Sequence, residues 1–269
     1  MTAAALYVIA AYTLFYTCSS LGFPLPVGII AAIAVTALFS IGSEWAVYRP
    51  LYNKKSSLNV AMIASIGLMT VLVNIVAMFF GNETRLINNA IQKTYSFGEV
   101  IITTPQMMQL AIGIAAIIGF MFFLRFTRFG LQTRALSCND TLFRTMGYSI
   151  KNTRLKVFAL SGVFFALAGS LTVYDFGLNP HMGMNVLINA IVAMIIGGVG
   201  RFNACILGGI TLGVLQSLVV YQFASNWQNP VLFVSMMNRG YILQQKEHAE
   251  KEIISTRALQ HGFRCVVAC

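Results

Sequence analysis

The residue types that carry catalysis, metal binding or nucleotide binding are sparse in this sequence. Residues 197–201 look like a phosphate-binding loop, but they lack the Gly-Lys-Ser/Thr ending and lie in an apolar stretch. His181, His248 and His261 are isolated from other ligand types, whereas a metal site needs several ligands together. We find no pairing of a nucleophile with a base and no paired carboxylates. The sequence therefore predicts no catalytic residues, no metal site and no cofactor bound by the chain itself.

The strongest chemical signal is a cluster of positive charge. Residues 125–156 lie between two long apolar segments and contain a single acid, Asp140. Lysine and arginine side chains resist transfer across a membrane, so a loop of this kind stays on the cytoplasmic side. The run holds seven of the eighteen basic residues: Arg125, Arg128, Arg134, Arg144, Lys151, Arg154 and Lys156.

A short helix is predicted inside this basic run, over residues 139–146. Asn139 and Asp140 are suited to cap a helix start, and Gly147 is suited to end one. The apolar residues between them recur at three- and four-residue spacing: Leu142, Phe143 and Met146. A short amphipathic helix on a cytoplasmic loop can lie on lipid headgroups or dock into a soluble partner.

The composition indicates the class of protein that carries this loop. Of the 269 residues, 57% are hydrophobic and 10% are charged, and the mean hydropathy is +0.74. Soluble domains carry about 25% charged residues. The net charge of +10 could indicate a nucleic-acid partner, but the charges lie in the gaps between apolar runs. Membrane topology explains them better, so the sequence predicts an integral membrane protein that binds no nucleic acid.

Apolar segments close to the length needed to cross a bilayer recur along the chain. They cover residues 3–18, 24–43, 58–80, 107–124, 157–174, 184–199 and 202–221, and residues 230–237 begin an eighth. Basic connectors alternate with connectors of little net charge, as a correct count of spans requires. The predicted fold is therefore all-α, a polytopic transmembrane helix bundle of about seven to eight spans.

Small and polar residues within the spans indicate how the helices pack and what could pass between them. Asn74, Asn185 and Asn189 could line a path for a polar solute or hydrogen-bond neighbouring helices. No acid or base lies in the middle of a span, which favours an energy source on another subunit. Glycines allow helix backbones to approach closely in lipid, although generic bundle packing explains each one alone. The glycines predicted to pack helices are Gly162, Gly169, Gly197, Gly198, Gly200, Gly208, Gly209 and Gly213.

Several motifs, in order along the chain, resemble one family of membrane proteins. Residues 130–147 (GLQTRALSCNDTLFRTMG) resemble the cytoplasmic coupling loop of branched-chain amino-acid ABC permeases, and residues 158–169 (FALSGVFFALAG) resemble the span that follows it. Residues 196–200 (IGGVG) and 207–213 (LGGITLG) are similar to the family's paired glycine signatures. Residues 48–51 (YRPL) match a loop of its LivH-like half.

The resemblance implies a permease subunit of an ATP-driven importer in a bacterial inner membrane. Its implied partners are ATPase subunits that bind ATP, a second paralogous permease and an extracytoplasmic solute-binding protein. The implied solutes are branched-chain amino acids, although related permeases take urea or short amides. The residues expected to contact the ATPase are Arg134, Ala135, Asn139, Asp140, Leu142, Phe143, Arg144, Met146 and Gly147. A stand-alone secondary transporter or channel for a small solute is the alternative.

The two ends of the chain depart from the family pattern. The resemblance implies a further span before Met1, so we expect a chain truncated at its N-terminus. Residues 238–269 are polar and match nothing in the family pattern. We therefore predict a permease domain over residues 1–237 and a non-family tail over 238–269, frameshifted or disordered.

Overall fold

The computed structural model of the chain describes most of the predicted membrane domain. The described residues are 1–20, 22–54, 56–84, 94–97, 100–138, 143, 147–198, 202–222, 230, 234 and 237. The predicted tail, residues 238–269, lies outside them, and only three positions of the predicted eighth segment are described. The division of the chain at residue 237 stays a prediction.

The described residues form helices joined by short connections. In chain order these are α1 (Thr2–Phe15), α2 (Leu25–Ser43), α3 (Arg49–Asn53), α4 (Leu58–Phe80), α5 (Thr104–Phe126), α6 (Arg128–Cys138), α7 (Ile150–Phe176), α8 (Met182–Gly197) and α9 (Phe202–Gln222). π-Helical turns follow α1 at Tyr16–Ser20 and α2 at Glu44–Tyr48. A two-stranded antiparallel hairpin, β1 (Thr94–Phe97) and β2 (Val100–Thr103), precedes α5.

The helix lengths confirm the predicted class of fold. Within the described part of the chain, six helical stretches are long and apolar enough to cross a membrane, and Met182–Gly197 is a shorter apolar helix. Each of the seven complete predicted segments thus has its own helix, and the molecule is a polytopic helical membrane protein. The hairpin was not predicted, since residues 81–106 were assigned only as a connector.

The helix ends follow from local chemistry. Gly81 and Gly177 end α4 and α7 with φ values of 82° and 72°, a region of backbone space in which only glycine is unstrained. Helix α5 begins with Pro105 in its first turn, where a missing N–H costs nothing. The side chain of Gln106 accepts a hydrogen bond from the backbone N–H of Thr103 at 3.3 Å, which satisfies a donor just before that helix.

The first of two compact units, Met1–Met184, is built around α1. Val8, Ala10, Ala11 and Leu14 are fully buried, because α2, α4 and α7 all pack against this helix. By contrast, few residues of α4 and none of α5 are fully buried. In a membrane protein such faces are solvated by lipid or covered by another subunit.

Close helix contacts in this unit occur at glycines. A Cβ at Gly162 would lie 2.8 Å from the Cβ of Ser40, and a Cβ at Gly169 would lie 2.5 Å from the carbonyl oxygen of Tyr7. Real Cβ atoms do not approach so closely, so α7 can lie against α2 and α1 only because these positions lack a side chain.

The second unit, Asn185–Cys269, contains most of α8 together with α9. A Cβ at Gly197 would clash with the carbonyl of Ala204, and one at Gly208 would clash with the carbonyl of Ala193. The predicted set also includes Gly198, Gly209 and Gly213. In the described part of the chain, no atom lies within 4 Å of a Cβ built at any of these three. Gly200 lies outside the described residues.

Candidate functional site

The end of α2 is extended by an irregular helical segment. The helical path continues from Leu25 to Asn53, although Pro50 lies inside it. Proline lacks an N–H and its ring collides with the carbonyl four residues earlier. The π-helical turn Glu44–Tyr48 widens the helix just before that position, which lets the chain continue into α3.

An ion pair joins this segment to the start of α7. The Nε of Arg154 lies 3.1 Å from Oε1 of Glu44, and Nη2 of the same guanidinium donates to Oε2 at 3.3 Å. The exposed fraction is 6% for the Glu44 side chain and 22% for Arg154. The guanidinium also lies over the Tyr52 ring, 4.6 Å from its centroid. One hydrogen bond and a second ion-pair contact fix the relative orientation of the two helices more closely than a single contact would.

Polar and aromatic contacts extend this junction towards the middle of the bundle. The Ser40 hydroxyl donates to the carbonyl of Phe158 at 2.6 Å. The rings of Tyr48 and Phe158 lie 5.2 Å apart, and the Tyr48 hydroxyl hydrogen-bonds with the Thr2 hydroxyl at 2.6 Å. The start of α7 is therefore held against α2 and the segment that follows it, and that segment is held in turn against α1.

The other end of the basic loop folds back on α5. The extended residue Thr127 separates α5 from α6. Nη2 of Arg134 then donates to the carbonyl of Leu124 at 2.5 Å, in the last turn of α5. A cation at a helix C-terminus satisfies a free carbonyl and interacts favourably with the helix dipole. Of the predicted contact residues, Arg134 thus bonds to its own chain, and both Arg134 and Ala135 are exposed.

One face of α6 is left open to solvent or to a partner. Arg128, Leu131 and Ala135 are spaced three and four positions apart, which places them on one side of a helix, and all three are exposed. The exposed fraction of Leu131 is 70%. Leu131 was not among the predicted contact residues, although the helical spacing of residues 128, 131 and 135 carried the signal.

Phe143 is the one residue of the predicted 139–146 helix that the structure describes. Phe143 is 2% exposed, and its ring stacks on Tyr148 at 5.4 Å between centroids. A ring packed in this way supports the fold of the loop, and the contact of Phe143 with an ATPase stays a prediction. Gly147 has a φ of 82°, the conformation expected of a helix-ending residue. The remaining predicted contact residues lie outside the described residues: Asn139, Asp140, Leu142, Arg144 and Met146.

The three asparagines predicted to line a solute path have different surroundings. Asn74 is exposed, and its Nδ2 donates to the Thr70 carbonyl of its own helix at 2.8 Å. Asn185 is exposed. In the second unit, Oδ1 of Asn189 accepts a hydrogen bond from Nε2 of Gln216 at 3.4 Å, which joins α8 to α9 by a polar contact. A role for these residues in a path stays a prediction.

A comparison with protein families gives one match over most of the chain. The family is described as "Branched-chain amino acid transport system / permease component", and its model matches residues 2–238. The matched region includes the ion pair of Glu44 and Arg154 and both ends of the basic loop. No solved structure is significantly similar to the chain.

Curated relatives carry the names of several permeases. A "Probable branched-chain amino acid transport permease protein LivH" of Methanocaldococcus jannaschii is 25% identical over 208 residues, which cover 74% of this chain and 66% of the relative. A "Xylose transport system permease protein XylH" of Haemophilus influenzae is 25% identical over 258 residues, with 73% and 68% covered. A "Ribose import permease protein RbsC" of Escherichia coli is 25% identical over 196 residues, with 70% and 60% covered. The chain thus spans about two thirds of the length of these relatives.

Proposed function

The chain belongs to the family of branched-chain amino acid transport system permease components, and from this premise we propose that it forms the translocation path of an ATP-driven importer. Members of this family are transport subunits, so the chain is a multi-pass membrane transport protein and not an enzyme. The observation that carries the proposal is the family match across residues 2–238. The ATP would bind to a separate subunit, and this chain would bind no cofactor of its own.

The coupling to an ATPase is proposed for the basic loop and its flanking helices. Both ends of the loop are held to the bundle, by Arg134 at α5 and by Arg154 at Glu44. Force applied to a segment anchored in this way is passed to the spans rather than absorbed by the loop. The exposed face of α6 offers an apolar residue, Leu131, beside the basic residue Arg128, and this combination suits docking into a groove of a soluble partner.

The solute we propose is a branched-chain amino acid. The first relative described above is named for these solutes, and the sequence motifs resemble the same half of the family. Relatives named for xylose and ribose make a small sugar the next candidate, with urea or short amides after it. The polar contact between Asn189 and Gln216 would lie near the path, because a zwitterion or a sugar needs hydrogen-bond partners where it leaves water.

The proposed assembly contains further subunits in the cytoplasmic membrane of a bacterium. A second, paralogous permease would complete the path, and an extracytoplasmic binding protein would deliver the solute. The exposed apolar faces of α4, α5 and α9 support a chain that packs against lipid and against other transmembrane subunits.

The test is reconstitution in proteoliposomes with candidate ATPase, binding-protein and partner-permease subunits. We expect uptake of labelled leucine that requires ATP, and the same assay with ribose and xylose distinguishes the solute classes. Leu131→Asp should abolish association with the ATPase while the chain still inserts in the membrane. Gln132→Asp adds the same charge one position along, on a half-buried side of α6, and serves as the matched control.

A stand-alone carrier or channel is the competing function. It predicts solute flux through the purified chain without ATP or any partner, and equal behaviour of the Leu131→Asp and Gln132→Asp variants. That pair of results would overturn the importer proposal.

A further inference from the structure

A cleft lies beside the ion pair, between the extended end of α2 and the first two turns of α7. Its volume is about 100 Å³, and its lining includes three cationic side chains and one carboxylate, an excess of two positive charges. The cations are Arg49, Lys151 and Arg154, and the carboxylate is Glu44. Since Glu44 is paired with Arg154, the excess charge comes from Arg49 and Lys151. Neither of these two makes an ion pair with a described residue.

The position of the cleft relative to the bilayer follows from its apolar rim. Trp45 lines the cleft and is 66% exposed. Leu38, seven positions earlier and so on the same side of the helix, is also exposed, as is its neighbour Phe39. An exposed apolar face on a membrane-spanning helix meets lipid, and tryptophan is enriched where lipid tails meet headgroups. The cleft therefore opens at headgroup depth, on the side of the membrane where the basic residues lie.

We propose that this cleft binds the phosphate of an anionic lipid headgroup. A phosphate group carries negative charge and strong acceptor oxygens, and arginine and lysine are the side chains that recognise it. Basic pockets between transmembrane helices on the cytoplasmic side bind lipid headgroups for this reason. The Glu44–Arg154 pair also lines the cleft, so a lipid held by Arg49 and Lys151 would hold α3 and α7 together at the end of the basic loop. The inference requires a membrane location and does not depend on the identity of the solute.

Quenching of Trp45 fluorescence in vesicles tests this site. The chain has two tryptophans, so Trp227→Phe leaves Trp45 as the only reporter. Vesicles of phosphatidylcholine are prepared with increasing fractions of brominated phosphatidylglycerol or of brominated phosphatidylcholine. We expect roughly tenfold preferential quenching by the anionic lipid, since each nearby cation strengthens its binding. The preference should fall close to one in Arg49→Gln/Lys151→Gln and persist in the conservative variant Arg49→Lys.

Matched controls separate this site from general attraction of a basic surface. Arg125→Gln/Arg128→Gln removes the same charge from exposed positions that do not line the cleft, and this variant should keep the full preference. Equal quenching by both lipids in the unaltered cleft would overturn the proposal. A response to inorganic phosphate in phosphatidylcholine vesicles, without a lipid preference, would assign the cleft to a soluble phosphate and also overturn it. Loss of ATPase association in Arg49→Gln/Lys151→Gln, with no lipid preference in any variant, would assign the cleft to a protein contact instead.

Discussion

Glu44 and Arg154 are 110 positions apart in the chain, yet their side chains meet in a two-point ion pair. One lies in the π-helical turn that follows α2, and the other lies in the second turn of α7. Because the first turns of α7 form the end of the basic loop, this contact connects the loop to α2, which also packs on the buried α1. The pair is thus placed to transmit movement of the loop to the centre of the bundle.

Removal of one member of this pair should destabilise the protein. Glu44→Gln leaves the Arg154 guanidinium partly buried without its counter-charge, and we expect a loss of about 2 kcal/mol in the free energy of unfolding. Thermal or denaturant unfolding in detergent measures it. The double variant Glu44→Gln/Arg154→Gln should lose less than the sum of the two single variants, because the interaction can be lost only once. Strictly additive losses would show that the two side chains do not interact.

Gly169 should be intolerant of a single methyl group. Alanine is the better helix former by up to about 1 kcal/mol, so Gly→Ala in an open helix should be neutral or stabilising. At Gly169 the new Cβ would lie 2.5 Å from the Tyr7 carbonyl oxygen, and α7 would have to move away from α1. We expect Gly169→Ala to lower stability by about 1–3 kcal/mol. Gly119→Ala in α5 is the control, since nothing lies within 4 Å of its Cβ in the described structure.

Phe143 should act through the shape of the loop and not through direct contact with a partner. Its ring is buried and stacks on Tyr148. Phe143→Leu should therefore keep most ATPase association, because a similar apolar volume still fills the site, whereas Phe143→Ala should weaken it. Tyr148→Ala should reproduce the Phe143→Ala defect, as measured by co-purification with the ATPase. Equal, severe losses for Leu and Ala at position 143, with Tyr148→Ala unaffected, would instead indicate that Phe143 enters the partner.

The membrane spans could be predicted from the sequence because hydropathy is a local property. The predicted segment 58–80 coincides with α4, and the predicted start at Phe202 coincides with the start of α9. The predicted start of α7 at residue 157 was seven positions late, since its first turns are polar and a hydropathy criterion registers only the apolar part of a helix. Helix α6 and the continuation of α2 through Pro50 were missed for the same reason.

The candidate site depends on contacts between distant residues, which periodicity does not encode. The sequence showed Glu44 and Arg154 only as charges near span ends, and nothing in their spacing indicated that they pair. The family resemblance was confirmed. The capping residues and the apolar spacing directed the predicted contact to residues 139–146, and Leu131 was missed. Glu44 is a lone acid beside a basic connector. This was the signal in the sequence that Glu44 would have a basic partner in the fold.

The orientation of the bundle gives a direct test of the basic loop as a cytoplasmic element. Ala135 on α6 and Glu83, after the end of α4, are both exposed, and the alternation of connectors predicts that they lie on opposite sides of the membrane. In a chain whose five native cysteines are replaced by serine, Ala135→Cys should react with a membrane-impermeant maleimide only in inverted vesicles. Glu83→Cys should react in intact cells. Reaction of Ala135→Cys from outside would exclude an ATPase partner for this loop, because ATP is supplied in the cytoplasm. Labelling of both positions from the same side would show that the count of spans between them is wrong.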